Sequence, residues 1–327
     1  MLAANEFTQR VNVYHIRRMI AFESVPGSAR VMITTPRAQY SPRHHIADGN
    51  LSSILSAFDE TSQRKVAIKV TNLATEQRRK SFVDEANVLS HIAQFDTPHV
   101  CEVFDVGVDV NSKTSGVVVM QQYEEDLFSY FFERDPPLQL TELDIKHIFK
   151  SICIGVESLH VLNVAHLDIK LENVFIDDKG VPYLGDLGSA VLVEEVEPNE
   201  PSMVADLGLC GTQNYYAPEV LAYPQLYDPF KADIFSLGII LHVLITSKYP
   251  FDNPEHIPDI TSLRNSDLVS FDCIHLLDQL LELQPHQRIN ISQVLAHPWF
   301  TKEANRPRNP VNRLHKYLIK KAHKLFH

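Results

Sequence analysis

The sequence predicts an α+β fold in two lobes, a small β-rich one followed by a larger α-helical one. Three observations lead there. The first third of the chain holds short β-branched runs, KVAIKV (Lys65–Val70) and GVVVMQQY (Gly116–Tyr123), with one amphipathic helix between them. From about residue 126 onward, helix-length patterns dominate. The chain has 327 residues, of which 44% are hydrophobic, enough for a full core or for two lobes sharing an interface.

Taken in order, residues 1–40 carry the weakest signals. VNVYHIRRMIAF fits a strand or a short helix, and Thr35-Pro36 and Ser41-Pro42 favour extended backbone. The expectation is a flexible or loosely docked extension. From 44 to about 122 the signals are mostly strands. TEQRRKSFVDEANVLSHI (Thr75–Ile92) interrupts them as an amphipathic helix, with Phe82, Ala86, Leu89 and Ala93 at helical spacing and Thr75 as N-cap. Helices are expected at Leu140–Leu162, around Asp233–Ile245 and at Ser266–Leu283. IFSLGIILHVLI (Ile234–Ile245) is too short to span a bilayer and contains His242, so it reads as a buried helix.

The formal net charge of −11 argues against nonspecific nucleic-acid binding by the body of the protein, and no nucleic-acid partner is expected. Cys101, Cys153, Cys210 and Cys273 show no CxxC spacing, which makes a reduced compartment the default. The N-terminus lacks an apolar signal core, and an intracellular protein, cytoplasmic or nuclear, is expected, with no transmembrane segment. Lys302–His327 holds eight Lys/Arg against one acid, Glu303. This basic tail suits contact with a membrane surface or a partner, but a terminal helix packed on the acidic body is the preferred reading.

VAHLDIKLENVFI (Val164–Ile176) sets His166, Asp168, Lys170, Glu172 and Asn173 between apolar flanks. In an extended loop, Asp168, Lys170 and Asn173 can converge on one point. A carboxylate that orients a hydroxyl, an ammonium that neutralises phosphoryl charge and an amide that ligates a divalent ion suit phosphoryl transfer. A hard ion such as Mg²⁺ wants a second oxygen ligand nearby, and Asp186 lies thirteen residues past Asn173. The run between them, FIDDKGVPYL, has hairpin length with Lys179-Gly180 at its turn.

At these residues the sequence resembles the eukaryotic-type protein kinase family, over about Ile46 to Phe300. HLDIKLEN is similar to the catalytic loop, DLG to D-F-G, APE (Ala217–Glu219) is intact, and VAIK (Val66–Lys69) matches the third-strand lysine motif. Four motifs in the right order are a specific signal. The resemblance implies a bilobal kinase domain over 41–303, with an N-lobe 41–122 and a C-lobe 123–303, flanked by an extension 1–40 and the tail 304–327.

It also implies roles. Lys69 would hold the inner phosphates of ATP and Glu85 would pair with Lys69. Asp168 would be the catalytic base, and Lys170 would contact the γ-phosphate. Asn173 and Asp186 would bind Mg²⁺. Ala47, Gly49, Ser52, Ile54 and Ala67 would line the nucleotide, with Gln121, Gln122 and Tyr123 as hinge and Met120 as gatekeeper. Thr212 would be a substrate-loop threonine, Glu219 and Arg288 a structural clamp, and Asp233 a hydrogen-bond partner of the catalytic-loop backbone. Lys170 two residues after the base is the serine/threonine pattern.

Three departures stand out. Ala47-Asp48-Gly49-Asn50-Leu51-Ser52 keeps only the middle glycine of G-x-G-x-x-G. Leu167 replaces the arginine before the catalytic aspartate, the non-RD pattern, and Gly208 stands where a phosphothreonine often sits. The two losses match, and they imply a kinase that does not need activation-loop phosphorylation. Glu194, Glu195, Glu197, Glu200 and Asp206 form an acidic insert in that segment. Leu187 replaces phenylalanine in D-F-G, an apolar exchange. The leading expectation is an ATP- and Mg²⁺-dependent serine/threonine kinase acting on protein substrates, with Glu172 favouring basic motifs. The alternative is a pseudokinase serving as a nucleotide-binding or scaffold module.

Overall fold

The computed structural model describes residues 19–24, 31–35, 37–48, 52–110, 113–133, 140–193, 204–205, 207–251, 258, 260–266 and 268–301. Gly49, the acidic residues 194, 195, 197, 200 and 206, and the basic tail lie outside them. The chain divides into two compact units, one running to Asp96 and including Cys101–Gln122, the other formed by Thr97–Val100 and the chain from Tyr123 onward.

The first unit is a barrel of β1 (Met19–Ser24), β2 (Val31–Thr34), β3 (Gln39–Asp48), β4 (Ser52–Asp59), β5 (Arg64–Asn72), β6 (Val103–Asp109) and β7 (Ser115–Gln121), closed in the order β1-β2-β3-β4-β5-β7-β6. Period-2 alternation decides which face each residue takes. Val66 and Ile68 of β5 point inward and are fully buried with Ile20, Ile33, Tyr40, Ala57, Val117 and Val119. Ala67 and Lys69 therefore share the opposite face. β3 carries Pro42, whose missing N–H is tolerated because the register with β4 shifts there.

The expectation of a loose extension fails at β1 and β2. β1 pairs antiparallel with β2 and parallel with β6, Met19 opposite Val108 and Ile20 opposite Asp109. Each strand is short and a Pro-Gly-Ser stretch separates them, so neither gives a long pattern in the sequence. They are held because Ile20 and Ile33 fill the barrel interior.

Helix α1 (Glu76–Ile92) lies between β5 and β6, and the Thr75 side chain accepts from the Arg78 amide. Phe82, Glu85, Ala86, Val88, Leu89 and Ile92 are buried. Ala93 is not part of this face. It is the exposed C-cap, and its N–H closes the last turn on Leu89, so Ile92 and Val88 complete the stripe instead.

The second unit is mainly helical: α2 (Leu127–Phe132), α3 (Glu142–His160), α4 (Pro218–Ala222), α5 (Pro229–Thr246), α6 (Thr261–Arg264), α7 (Phe271–Leu280), α8 (Ile291–Leu295) and α9 (Pro298–Thr301). α3 starts where Thr141 and Asp144 form a capping box, and α7 starts at its cap Ser270, four residues later than expected. Glu142 joins three helices, accepting from Ser270 Oγ at 2.6 Å and from Trp299 Nε1 at 2.7 Å. α5 extends the apolar run read from sequence in both directions. By length and composition it could cross a membrane, but 78% of it is buried inside this unit, where it is the central core helix.

Short strands frame the loops. β10 (Val174–Ile176) pairs with β11 (Pro182–Leu184) and with β8 (Glu125–Asp126), and β9 (Val164–Ala165) pairs with β12 (Val191–Leu192). The β10–β11 hairpin is the expected one. Gly180 takes φ +82, and Asp177 Oδ1 accepts from the Lys179 and Val181 amides. β13 (Val204–Ala205) pairs with β14 (Leu226–Tyr227).

Candidate active site

In the second unit, the loop between β9 and β10 carries the polar insert. Its backbone is held from α5. Asp233 Oδ2 accepts from the His166 amide and Oδ1 from the Leu167 amide, each at 2.8 Å. His160 Nε2 meets the same carboxylate at 2.9 Å. These bonds sustain Leu167 at φ +61, a left-handed conformation that costs a leucine about 1–2 kcal/mol. His166 is fully buried and has its tautomer fixed. Nδ1 accepts from the Asp168 amide at 3.2 Å, so Nε2–H donates to the Gly185 carbonyl at 3.0 Å.

This scaffold presents a closed ring of three side chains. Thr212 Oγ1 donates to Asp168 Oδ1 at 2.8 Å and accepts from Lys170 Nζ at 2.8 Å, while Lys170 Nζ lies 2.9 Å from Asp168 Oδ2. Asn173 Nδ2 donates to the Asp168 carbonyl at 2.8 Å and to Asp168 Oδ2 at 3.0 Å. Asn173 is buried, and both bonds use its nitrogen, which leaves Oδ1 for another role. Gly185 N donates to the Asn173 carbonyl at 2.9 Å, which brings the residue next to Asp186 onto Asn173. Asp186 itself sits at φ +54 and caps a 3-10 turn, accepting from the Gly188 amide at 3.4 Å.

Among the described residues no group of three or more His, Cys, Asp or Glu could hold a metal ion. Mg²⁺ does not need one. It binds through one or two protein carboxylates with phosphate and water oxygens completing the octahedron. The Asn173 amide oxygen and the Asp186 carboxylate are hard oxygen donors on adjoining backbone, and that donor set fits Mg²⁺.

Thr212 follows Gly211, whose φ of +94 and closeness to Leu167 admit no side chain. Past Thr212, Tyr215 Oη shares a hydrogen bond with Tyr249 Oη at 3.2 Å, and Ser236 Oγ donates to the Tyr215 carbonyl at 2.9 Å. Burial, then the bond to Tyr249, raises the Tyr215 phenol well above its ordinary value, so it stays neutral. Burial likewise raises the Cys210 thiol, which donates to the Leu207 carbonyl, so Cys210 reads as a packing residue. Glu219 and Arg288 form a buried bidentate pair. His160, Tyr215, Ser236 and Tyr249 support the site and were not singled out from sequence, since nothing local marks a partner dozens of residues away.

Glu172 does not join the Asp168 ring. Its Oε2 is buried with no hydrogen-bond partner. Tyr123 stacks on Phe175, ring centroids 5.7 Å apart and 12° between planes, and also lies against Tyr183.

In the first unit, Lys69 Nζ lies 2.8 Å from Glu85 Oε1, with both side chains largely buried. Ala47 pairs with Ile54 across β3 and β4, Ser52 opens β4, Ile54 faces Lys69, and Ala67 faces Met120. Gln121 N donates to the Glu102 carbonyl at 2.9 Å, and Gln122 Oε1 accepts from Ser56 Oγ at 2.8 Å. Ala47, Ser52, Ile54, Ala67 and Gln121 thus lie on neighbouring strands, Gln122 follows the end of β7, and Gly49 falls outside the described residues.

An ion-paired strand lysine in a β-rich unit and an Asp–Lys–Asn loop in a helical unit define a phosphoryl-transfer class of protein. Residues 40–300 match the protein kinase domain, and the chain belongs to that family. It is 27% identical over 267 residues to the SNF1-like protein kinase ssp2 of Schizosaccharomyces pombe, covering 80% of this chain and 44% of that protein. To the carbon catabolite-derepressing protein kinase of Saccharomyces cerevisiae it is 26% identical, covering 78% and 39%. To CBL-interacting protein kinase 33 of rice it is 28% identical, covering 82% and 58%. The chain thus spans between two fifths and three fifths of the length of these relatives.

Proposed function

We propose that the chain is an active serine/threonine protein kinase that moves the γ-phosphoryl group of ATP to a protein hydroxyl. The observation that carries this is the Asp168–Lys170–Thr212 ring with Asn173 bound to Asp168. Asp168 Oδ1 already holds an alcohol, so it can orient a substrate hydroxyl and take its proton. Lys170 Nζ places positive charge within 2.9 Å of that carboxylate, where it offsets negative charge on the transferring group. Lys69, fixed by Glu85, would engage the inner phosphates. Mg²⁺, held by Asn173 and Asp186, would supply charge neutralisation at the phosphate oxygens. Catalysis is then mostly positioning.

We assign the non-RD character a regulatory meaning: activity without activation-loop phosphorylation. Leu167 is 8% exposed and carries no charge or donor with which to receive a phosphate. Neutral bonds anchor the segment instead, from Tyr216 Oη to the Gly211 carbonyl at 3.0 Å and from Tyr227 Oη to the Gly208 carbonyl at 3.4 Å. For substrates we favour basic sequences, because Glu172 is a carboxylate in the Asp168 loop that the Asp168 ring does not use.

The test is phosphate transfer from MgATP to a mixed peptide library by protein stripped with a broad-specificity phosphatase. Turnover retained after stripping, on serine or threonine beside basic residues, supports the proposal. Turnover that vanishes on stripping removes the regulatory part. An acidic or proline-directed preference removes the substrate assignment. Absence of turnover with intact nucleotide binding moves the protein to the pseudokinase class.

A further inference from the structure

Residues 19–38 lie before the stretch that matches the kinase family, yet they complete the first unit. β1 and β2 lie between β3 and β6, the strands that would otherwise be the two edges of the sheet, and leave no open edge. The turn from β2 into β3 is pinned on one carboxylate. Asp105, only 2% exposed, accepts from Thr35 Oγ1 at 3.0 Å and from Tyr40 Oη at 2.5 Å. Thr35 Oγ1 also receives the Arg37 and Ala38 amides at 3.2 and 3.1 Å, which fixes the turn's shape.

The pinned turn faces the end of α1 across a cleft. Arg37 lines a cleft of about 310 Å³ together with Leu89, Ala93 and Gln94 on one side and Val103 and Asp105 on the other. Leu89 lies one helical turn beyond Glu85, the residue that holds Lys69. A helix packed on a sheet by one face can slide along it. A carboxylate buried in β6 and bound to the incoming turn ties the hairpin to β6, the strand against which α1 packs.

We propose that the N-terminal hairpin is a positioning element for phosphoryl transfer, anchored through Asp105, and that it holds α1 where Glu85 meets Lys69. Asp105 and Thr35 act through α1 and touch no substrate. The kinetic consequence rests on the kinase reading; the structural one does not.

The test uses the full chain with Asp105→Asn and, separately, Thr35→Val, which keeps the volume and removes the hydroxyl. Amide hydrogen exchange and steady-state kinetics are both read. The expected result is faster exchange in β1 and β2, a parallel loss of protection in α1 on the order of tenfold, and unchanged protection in α5. kcat should fall by on the order of tenfold as the competent population shrinks, with the peptide KM held within about twofold. Loosened β1 and β2 with α1 protection and kcat at wild-type values would overturn the proposal. So would a hairpin that stays protected in both variants, since Asp105 would then not be its anchor. If Asp105→Asn exposes α5 as well, the milder Thr35→Val decides by the same criteria. If the wild type itself turns nothing over, the kinase reading falls, and the joint exchange of hairpin and α1 still judges the coupling.

Discussion

Gly211→Ala tests the assembly of the site through a single methyl group. A Cβ at this position would lie 2.2 Å from the Leu167 carbonyl oxygen and 3.4 Å from Asp168 Oδ1, whereas real Cβ contacts do not fall below 3.0 Å. The chains must therefore separate by at least 0.8 Å (3.0 less 2.2). Leu167 cannot yield easily, because Asp233 holds its amide and that of His166. The shift falls on Gly211 and Thr212. The φ of +94 adds about 1–2 kcal/mol for any residue with a side chain. A displacement near 1 Å at Thr212 breaks its 2.8 Å contacts to Asp168 and Lys170, and misplacement on that scale costs about 10²-fold in rate. Total destabilisation should be about 2–3 kcal/mol, or roughly 4–12 °C in Tm for a unit of this size. Peptide phosphorylation and thermal melting measure the two effects. A variant with kcat within about threefold of wild type, melting at the same temperature, would refute the claim that the Leu167–Gly211 contact sets the ring's geometry.

Three further outcomes follow from buried polar groups. Arg288→Met should cost about 3–5 kcal/mol in urea unfolding, because Glu219 is left charged and buried, and adding Glu219→Leu should recover most of it. Asp233→Asn offers one oxygen to three donors, the His166 and Leu167 amides and His160. It should lose about 1–3 kcal/mol and slow turnover as the strained Leu167 relaxes. Burial lowers the His242 pKa below its ordinary value, with Nδ1–H donating to the Lys248 carbonyl. The unfolded chain therefore binds a proton at about pH 6.5 that the folded chain still refuses, so stability falls as pH drops from about 6.5 toward the lowered folded value. His242→Gln should flatten that slope in melts across this window; an unchanged slope would assign it to other groups.

Local signals carried much of the fold. Thr75 and Lys179-Gly180 mark their cap and turn by residue type alone, and the β-branched run KVAIKV marks β5. α7 begins later than its apolar pattern because Ser270 is its N-cap, accepting from the Cys273 amide. The barrel closure was not legible, since Met19 meets Val108 by parallel pairing across nearly ninety residues and four-to-six-residue strands give little pattern. At the site, Asp168, Lys170 and Asn173 were legible because they crowd one loop. Thr212 joined them only through the order of motifs, and His160 only through the fold, since its link to Asp233 spans 73 residues.

The central claim is that Asp168 orients and deprotonates the accepting hydroxyl. The measurement is phosphate transfer from MgATP to serine and threonine peptides, wild type beside Asp168→Asn, with both melted in parallel. The expected result is turnover by the wild type, a loss of about 10²–10⁴-fold in the variant, and a variant that still melts cooperatively as a folded protein. Equal transfer by the variant, or none by a wild type that nucleotide clearly stabilises, would contradict it.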